Sequence, residues 1–399
     1  MKQRIYFDNA ATSWPKPEGV TRAMCRYIEE IGVNTGRGVY ASAVEVSRVV
    51  FDTREKLCHL FNGKSSQNVV FTANVTQALN MVLKGFLKPG DHVLISGLEH
   101  NAVIRPLFHL TQQGVNWQMI PAKEAIIEPL SGVIADYEMD LEALEKMISP
   151  ATKAVVVSHG SNVSGGIQPL HEIGKICQRH GLKLIVDAAQ TAGAHRIDIT
   201  ADYIDVLCFT GHKGLRGPQG TGGFIIDGDM ARDMEVLLDG GTGSVSNLLT
   251  MPDFLPDKFE PGTLNLPGIY GLNAALDWLE RADPVVISQS EAQLASTFIN
   301  GIQAIKGLQV IKGDHQKERC AVVSVYHPSR DLSEIAFELD RDFGIMTRVG
   351  LHCAPLAHQT LGTYPQGTLR FSFNHQNTLK EIEQGVVALQ SICERKRKG

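Results

Sequence analysis

Residues 183–190 read Lys-Leu-Ile-Val-Asp-Ala-Ala-Gln, in which the apolar run 184–186 ends on an acid, Asp187. A run that is apolar at every position fits a strand covered on both faces, as parallel strands are. A carboxylate at the end of such a strand is costly unless it is paired. Outward from this stretch the pattern recurs. Strands are predicted at 69–72, 92–96, 116–120, 154–158, 182–187, 206–210 and 223–226. Helices are predicted between them at 77–87, at 141–148 behind an Asp140 N-cap, and at 170–180. This alternation predicts an α/β fold, with a mostly parallel central sheet, helices on both faces and right-handed crossovers. Ligands in such folds sit beyond the carboxyl ends of the strands.

Residues 227–267 are Gly/Pro-rich and poorly periodic, and read as loops and a connector. Two long helices are predicted next, at 269–281 and 288–305, then strands at 308–311 and 321–326. A helix over 332–343 is capped by Asp331 with Glu334 three residues on. A strand at 367–373 and a last helix opened by the capping box Thr378-x-x-Glu381 complete the pattern. The domain reading is an N-terminal arm over 1–20 that packs with the small domain and a large domain over 21–262. A smaller α+β C-terminal domain over 263–399 carries the Cys353 loop.

The 399 residues are 43% hydrophobic and 20% charged, ordinary for a globular chain with a large core. A formal net charge of -5 offers no basic surface for nucleic acid. The basic run Arg395-Lys396-Arg397-Lys398 reads as a solvated helix end or tail. No apolar run is long enough to span a bilayer, and the N-terminus has no secretory pattern, so a cytoplasmic location is expected. The seven cysteines are scattered and form no CxxC pair, which argues against a disulfide framework and a zinc site. No metal is expected.

Thr210-Gly211-His212-Lys213 follows the predicted strand 206–210 and leads into a glycine-rich turn. A loop lysine alone reads as a solvated surface residue. Asp187, one βα unit away at another strand end, changes that reading. A lysine forming a Schiff base and an acid facing a pyridinium nitrogen are the fixtures of pyridoxal-phosphate sites. Asn74-Val75-Thr76 opens the predicted helix 77–87, where backbone amides can meet an anion. A plain N-cap explains that segment equally well.

Together Thr210-Gly211-His212-Lys213, Asp187-x-x-Gln190, Glu99-His100-Asn101 and Ser161-Asn162-Val163-Ser164-Gly165 resemble the class V aminotransferase group of fold-type-I pyridoxal-phosphate enzymes. Arg348-Val349-Gly350-Leu351-His352-Cys353-Ala354 resembles the signature of group II cysteine desulfurases and selenocysteine lyases. The similarity runs from Tyr6-Phe7-Asp8-Asn9-Ala10-Ala11-Thr12 to Leu369-Arg370-Phe371-Ser372.

The resemblance implies that Lys213 bonds pyridoxal 5'-phosphate and moves the substrate Cα proton. Asp187 would keep the ring nitrogen protonated, Gln190 would bond the ring hydroxyl, and His100 would stack on the ring. Val75, Thr76, Thr210 and His212 would hold the phosphate. Asn162 and Arg370 would grip the substrate carboxylate, with Arg348 beside them. Cys353 would take the sulfur, helped by positive charge from His352 and Arg348. Thr263 would reach the partner's site in a homodimer.

The implied reaction converts cysteine, or selenocysteine, to alanine and passes the sulfur to a protein acceptor. Leu351 stands where the family often has a second histidine, and Gln77 where it has Glu; Val75 and Ala73 are also less usual. A transaminase or β-lyase of the same scaffold would need Lys213 and Asp187 but not Cys353. A catalytically idle paralogue would need neither.

Overall fold

The computed structural model describes residues 4–36, 38–123, 133–135, 137–312 and 318–395. The first strands are β1 (Ile5–Tyr6), β2 (Val69–Thr72), β3 (His92–Ile95), β4 (Asn116–Met119), β5 (Val133–Ala135), β6 (Thr152–Ser158) and β7 (Lys183–Asp187). They are followed by β8 (Val206–Thr210), β9 (Gly222–Ile226), β10 (Gln309–Lys312), β11 (Val322–Tyr326), β12 (Ile345–Met346), β13 (Arg348–Gly350) and β14 (Thr368–Ser372). The helices are α1 (Glu18–Arg26), α2 (Ala41–Leu60), α3 (Val75–Phe86), α4 (Asn101–Thr111), α5 (Leu141–Lys146) and α6 (Leu170–His180). After them come α7 (Gly228–Asp233), α8 (Leu266–Ala282), α9 (Pro284–Ile302), α10 (Leu332–Glu338), α11 (Pro355–Thr360) and α12 (Leu379–Glu394). No helix among the described residues is long and apolar enough to cross a membrane. Of the basic C-terminal run, Lys396 to Lys398 lie outside the described residues.

The large sheet has seven strands in the order β2-β9-β8-β7-β6-β3-β4. All neighbours from β8 to β4 are parallel, as expected, while β9 runs antiparallel to both β2 and β8. The reversal follows from the connection: residues 211–221 are too few for a crossover, so the chain turns straight back. Glycine lets β9 fit there. A Cβ on Gly223 would lie 2.2 Å from the Val70 carbonyl oxygen and 2.8 Å from the Phe209 ring.

Alternate side chains of the central strands feed two separate cores. Leu184 and Val186 of β7, with Leu207 and Phe209 of β8, face one core, closed by α2, α6 and α8. Ile185, Val206 and Cys208 face the other, closed by α3 and α4. Each face is therefore dry, which is why these strands read as unbroken apolar runs. α2 was not predicted, yet its buried Ala43, Val46, Val50 and Leu57 recur at helical spacing.

The second sheet runs β13-β14-β11-β10-β5. Its β5 comes from the segment between β4 and α5 and pairs parallel with β10. α9 and α12 cover it through Leu294, Phe298, Ile382 and Leu389. The N-terminal arm joins the same unit: β1 pairs with β12, and Phe7 packs 4.9 Å from Phe373 in T-shaped contact. α8 instead buries Ile269, Leu272 and Leu276 against the core of the large sheet. The predicted helix over 332–343 is α only to Glu338; a π-helical turn over Leu339–Phe343 finishes it, and Gly344 closes it in left-handed conformation. Thr378 and Glu381 form their capping box as predicted.

Candidate active site

Of the predicted site residues, His100, Asn162, Asp187, Gln190, Thr210, His212 and Lys213 lie at or just beyond the carboxyl ends of β3, β6, β7 and β8. Asp187 is the last residue of β7 and pairs in register with Cys208 of β8 and Ser158 of β6. It is 4% exposed, and its Oδ1 accepts from the Ala189 N–H at 2.9 Å. Burial pushes its pKa up, against the opposing pull of that N–H and of Lys213. Lys213 stands three residues beyond β8. Burial and the nearby Arg370 charge bring its ammonium down to about 8, against the pull of Asp187. Gln190 donates from Nε2 to the Ala10 carbonyl at 3.2 Å.

His100 caps α4, and its Nδ1 accepts from the Ala102 N–H at 3.0 Å. Its remaining proton is therefore on Nε2. Burial, then the charges of Lys213, Arg105 and Arg370, lower its pKa to about 4, so the ring is neutral. Glu99 before it is fully buried and accepts from Ser96 Oγ, from Ser158 N at 2.8 Å and from Ser158 Oγ at 2.8 Å. Burial lifts its pKa to about 7. Glu99 thus ties the end of β3 to the end of β6 and fixes the His100 turn. The motif Glu99-His100-Asn101 by itself assigns Glu99 no role.

Val75 and Thr76 are the first two residues of α3, whose leading N–H groups lack intrahelical acceptors. Asn74 caps the helix by accepting from Gln77 N at 2.9 Å, and Gln77 Oε1 accepts from Ala73 N at 2.9 Å. The neutral Gln77 thus keeps the capping bond that a glutamate would make. Gly222 faces this turn so closely that a Cβ would lie 2.7 Å from Asn74 Cα. Thr210 Oγ donates to the Thr221 carbonyl at a long 3.5 Å. The buried His212 Nδ1 has no partner among the described residues, and burial with Lys213 and Lys16 pulls its pKa to about 4. Thr263 lines a cavity of about 220 Å³ together with Thr72, Ala73 and Gln77 of its own chain. A helix N-terminus, an unpartnered imidazole nitrogen, an amine and a buried carboxyl suit a phosphorylated aldehyde with a basic ring nitrogen.

Asn162 and Arg370 also meet. Arg370 is 2% exposed, donates to the Asn162 carbonyl at 3.0 Å and to Asp8 Oδ1 at 2.9 Å, and keeps a buried Nε without a partner among the described residues. Arg348 lies on β13 rather than in the loop, and holds the same Asp8 through Nε and NH2. Asp8 was not predicted as a site residue.

Cys353 is exposed, and its carbonyl accepts from the Asn101 N–H at 2.8 Å. The His352 carbonyl accepts from Asn162 Nδ2 at 2.7 Å. Both residues have positive φ, +49° and +57°, strain of order 1–3 kcal/mol each that these bonds offset. The expected help from His352 is absent. Its ring is buried against Thr368, and burial, then Arg370, holds it neutral with a pKa of about 2. Arg348 interacts electrostatically with Cys353. Among the described residues no cluster of His, Cys, Asp and Glu could hold a metal.

Comparison with known proteins gives the family. The aminotransferase class-V family model matches residues 5–384. A "probable cysteine desulfurase" of Methanothermobacter thermautotrophicus is 34% identical over 389 residues, covering 96% of this chain and 93% of that protein. An apo structure of cysteine desulfurase from Thermococcus onnurineus NA1 superposes with a TM-score of 0.87 at 30% identity, covering 98% of this chain and 95% of that one. The cysteine desulfurase CsdA of Escherichia coli gives a TM-score of 0.84 at 28% identity, over 98% and 94% of the two chains. By its length of match, its fold and the residues at its strand ends, this chain belongs to the aminotransferase class-V family.

Proposed function

We propose that this chain binds pyridoxal 5'-phosphate and acts as a cysteine desulfurase, converting L-cysteine to L-alanine and holding the sulfur as a persulfide on Cys353. The observation that carries this reading is the bond from Asn101 N to the Cys353 carbonyl, because Asn101 directly follows His100. It seats an exposed thiol beside the residues suited to the cofactor. A transaminase has no use for that thiol.

Val75, Thr76, Thr210 and His212 would hold the phosphate, Gln190 and His100 the ring, and Lys213 the aldehyde carbon. When bound, the cofactor supplies an electron sink for charge developing at the substrate Cα. Asp187 holds a proton at the ring nitrogen, and its own burial makes that cation the favoured partner. Asn162 and Arg370 orient the substrate carboxylate, the unpartnered Arg370 Nε giving an open donor. Lys213, with its depressed pKa, takes the Cα proton as a neutral amine. The Cys353 thiolate then attacks the substrate sulfur. The substrate C–S bond breaks, its electron pair stays with carbon and meets a proton, and the sulfur remains on Cys353.

A homodimer and a protein sulfur acceptor belong to the same reading. Val39, Tyr40, Phe51 and Leu249 are large apolar side chains left exposed, as a second copy would cover. A cytoplasmic setting fits seven free cysteines. The test is incubation with L-cysteine and a thiol reductant while alanine and sulfide are measured. Both products should form in equal amounts. Lys213→Ala should form neither and lose the cofactor's absorbance band; retention of substantial alanine production would sink the assignment.

A further inference from the structure

A small cavity of about 40 Å³ is lined by Gln190, His195, Lys213, Arg216, Glu291 and Cys320, among others. Cys320 is buried, and its N–H donates to the Gly165 carbonyl at 2.8 Å, which holds it against the turn after β6. A Cβ on Gly160 in that turn would lie 2.6 Å from Cys320 Sγ, 2.6 Å from Thr191 Cγ2 and 3.5 Å from Gln190 Cβ. Glycine there makes room for the thiol beside Thr191 and Gln190. His195 follows Thr191 by one turn, with its N–H bonded to the Thr191 carbonyl at 2.9 Å, and its side chain hydrogen-bonds Cys320. His195 Nδ1 also donates to Glu318 Oε1 at 2.7 Å. Burial alone would lower the His195 pKa, but Cys320 and Glu318 outweigh it and raise it to about 10, so the ring is a cation at neutral pH. A cation beside a thiol favours the thiolate. Cys177 and Cys208 are buried too, but they sit in the apolar cores, where burial pushes their thiols up. Arg216 bonds Glu291 through NH2, while its buried Nε has no partner among the described residues. The cavity wall thus carries an open donor as well as a thiol.

We propose that Cys320 is a modification site for hydrogen peroxide, a thiolate poised by His195 and Glu318 in a cavity sized for a small neutral oxidant. A water needs about 10–15 Å³ of cavity, so 40 Å³ admits a molecule of two oxygens and excludes bulkier thiol reagents. Arg216 Nε offers such a molecule a hydrogen bond. The Cys320 thiolate attacks one peroxide oxygen, an S–O bond forms and the O–O bond breaks. The sulfur is oxidised by two electrons to a sulfenic acid, and the peroxide is reduced. The departing hydroxide takes the His195 proton and leaves as water. A sulfenic acid is returned to the thiol by excess thiol reductant, so the change is reversible. Neither Cys353 nor a bound cofactor takes part in this step.

The experiment treats the folded, reduced protein with hydrogen peroxide for set times and stops the reaction with catalase. The chain is then unfolded in dimedone, which tags sulfenic acid, and each cysteine is read by peptide mass spectrometry. Cys320 should be tagged at least about tenfold faster than Cys177 and Cys208. His195→Gln should slow the tagging of Cys320 about tenfold and Glu318→Gln about threefold, with that of Cys353 changing less than about twofold in either. The Glu318 side chain is 59% exposed, so Glu318→Gln keeps the test open if His195→Gln does not fold. In the folded protein the bulkier N-ethylmaleimide should label Cys353 and spare Cys320. Tagging of Cys320 no faster than that of Cys177 and Cys208 would overturn the proposal. So would a rate that the folded variants leave unchanged, or labelling of Cys320 by N-ethylmaleimide as fast as that of Cys353.

Discussion

Cys353 differs from the other six cysteines in what surrounds it. Cys208 and Cys177 are buried and their thiols are pushed up by burial, as inert core sulfur is. Cys353 is exposed on a loop strained at two successive residues and interacts electrostatically with Arg348. Cys353→Ala is expected to abolish nearly all alanine release from cysteine and to keep an appreciable fraction from selenocysteine. The C–Se bond is weaker and selenol more acidic, so selenium needs less nucleophilic help to leave. Equal losses on both substrates would assign Cys353 a shaping role instead. Lys213 gives a second check on the cofactor-free protein. Its neutral amine, the reactive form, should accumulate as pH rises through about 8 rather than 10.5. Acylation of Lys213 by an amine-directed reagent, read by peptide mass spectrometry, should show that lower midpoint. A midpoint near the ordinary lysine value would mean the site is open to water. Asp187 stands out in the sequence because it closes an apolar run, and Lys213 because it follows the end of another by three residues. Asp8 and Glu99 do not stand out, because their meaning comes from partners such as Arg370, 362 residues away.

At the scale of elements, the parallel strands were legible because each is dry on both faces, and their observed ends agree with the predicted ones within a residue or two. The reversed β9 was not read from the pattern, since an apolar run carries no direction; the short connection after β8 decides it. α2 was missed although its buried positions recur at helical spacing, because polar residues dilute the run. α2 is fastened by a buried ion pair. Arg54 holds Glu260 at 2.6 Å and 2.8 Å and also bonds the Val69 carbonyl, while Glu260 accepts from Phe71 N at 2.6 Å. One carboxylate thus joins α2, β2 and the segment leading to Thr263. Removing it leaves the Arg54 charge buried without its partner, at a cost of about 3–5 kcal/mol. Glu260→Ala should therefore lower the thermal midpoint sharply, measured by calorimetry, and a change under a degree would show that water or another acid replaces it.

For the whole molecule, the N-terminal arm is the part that connects everything. Thr12, Ser13 and Lys16 all bond the His212 carbonyl beside Lys213, while Phe7 sits in the core of the small sheet. The arm thereby links the Lys213 loop, Arg348 and Arg370, and the C-terminal strands. Exposed apolar residues on α2 and near Leu249 set the expectation of a dimer, with Thr263 serving the neighbour's site. A mixed dimer of Thr263→Ala and Lys213→Ala subunits tests this. If Thr263 acts in trans, the intact Lys213 meets an intact Thr263, and activity per intact Lys213 should exceed that of the Thr263→Ala homodimer. Equal activity would place Thr263 in its own site, beside the α3 turn it lines here.

The amino-acid sequence alone determined the alternation of dry strands and helices, the placement of chemistry at strand ends, and the order of motifs that marks the family. These are local properties, written in periodicity and in which residue follows each apolar run. Tertiary structure decided which charges meet. It turned His352 away from Cys353 and into a buried neutral contact, gave Arg348 and Arg370 one shared carboxylate from residue 8, and set Glu99 between two strand ends. Such pairings depend on burial and on contacts between distant segments. A side chain's charge state depends on what the fold packs around it, and no spacing along the chain encodes that.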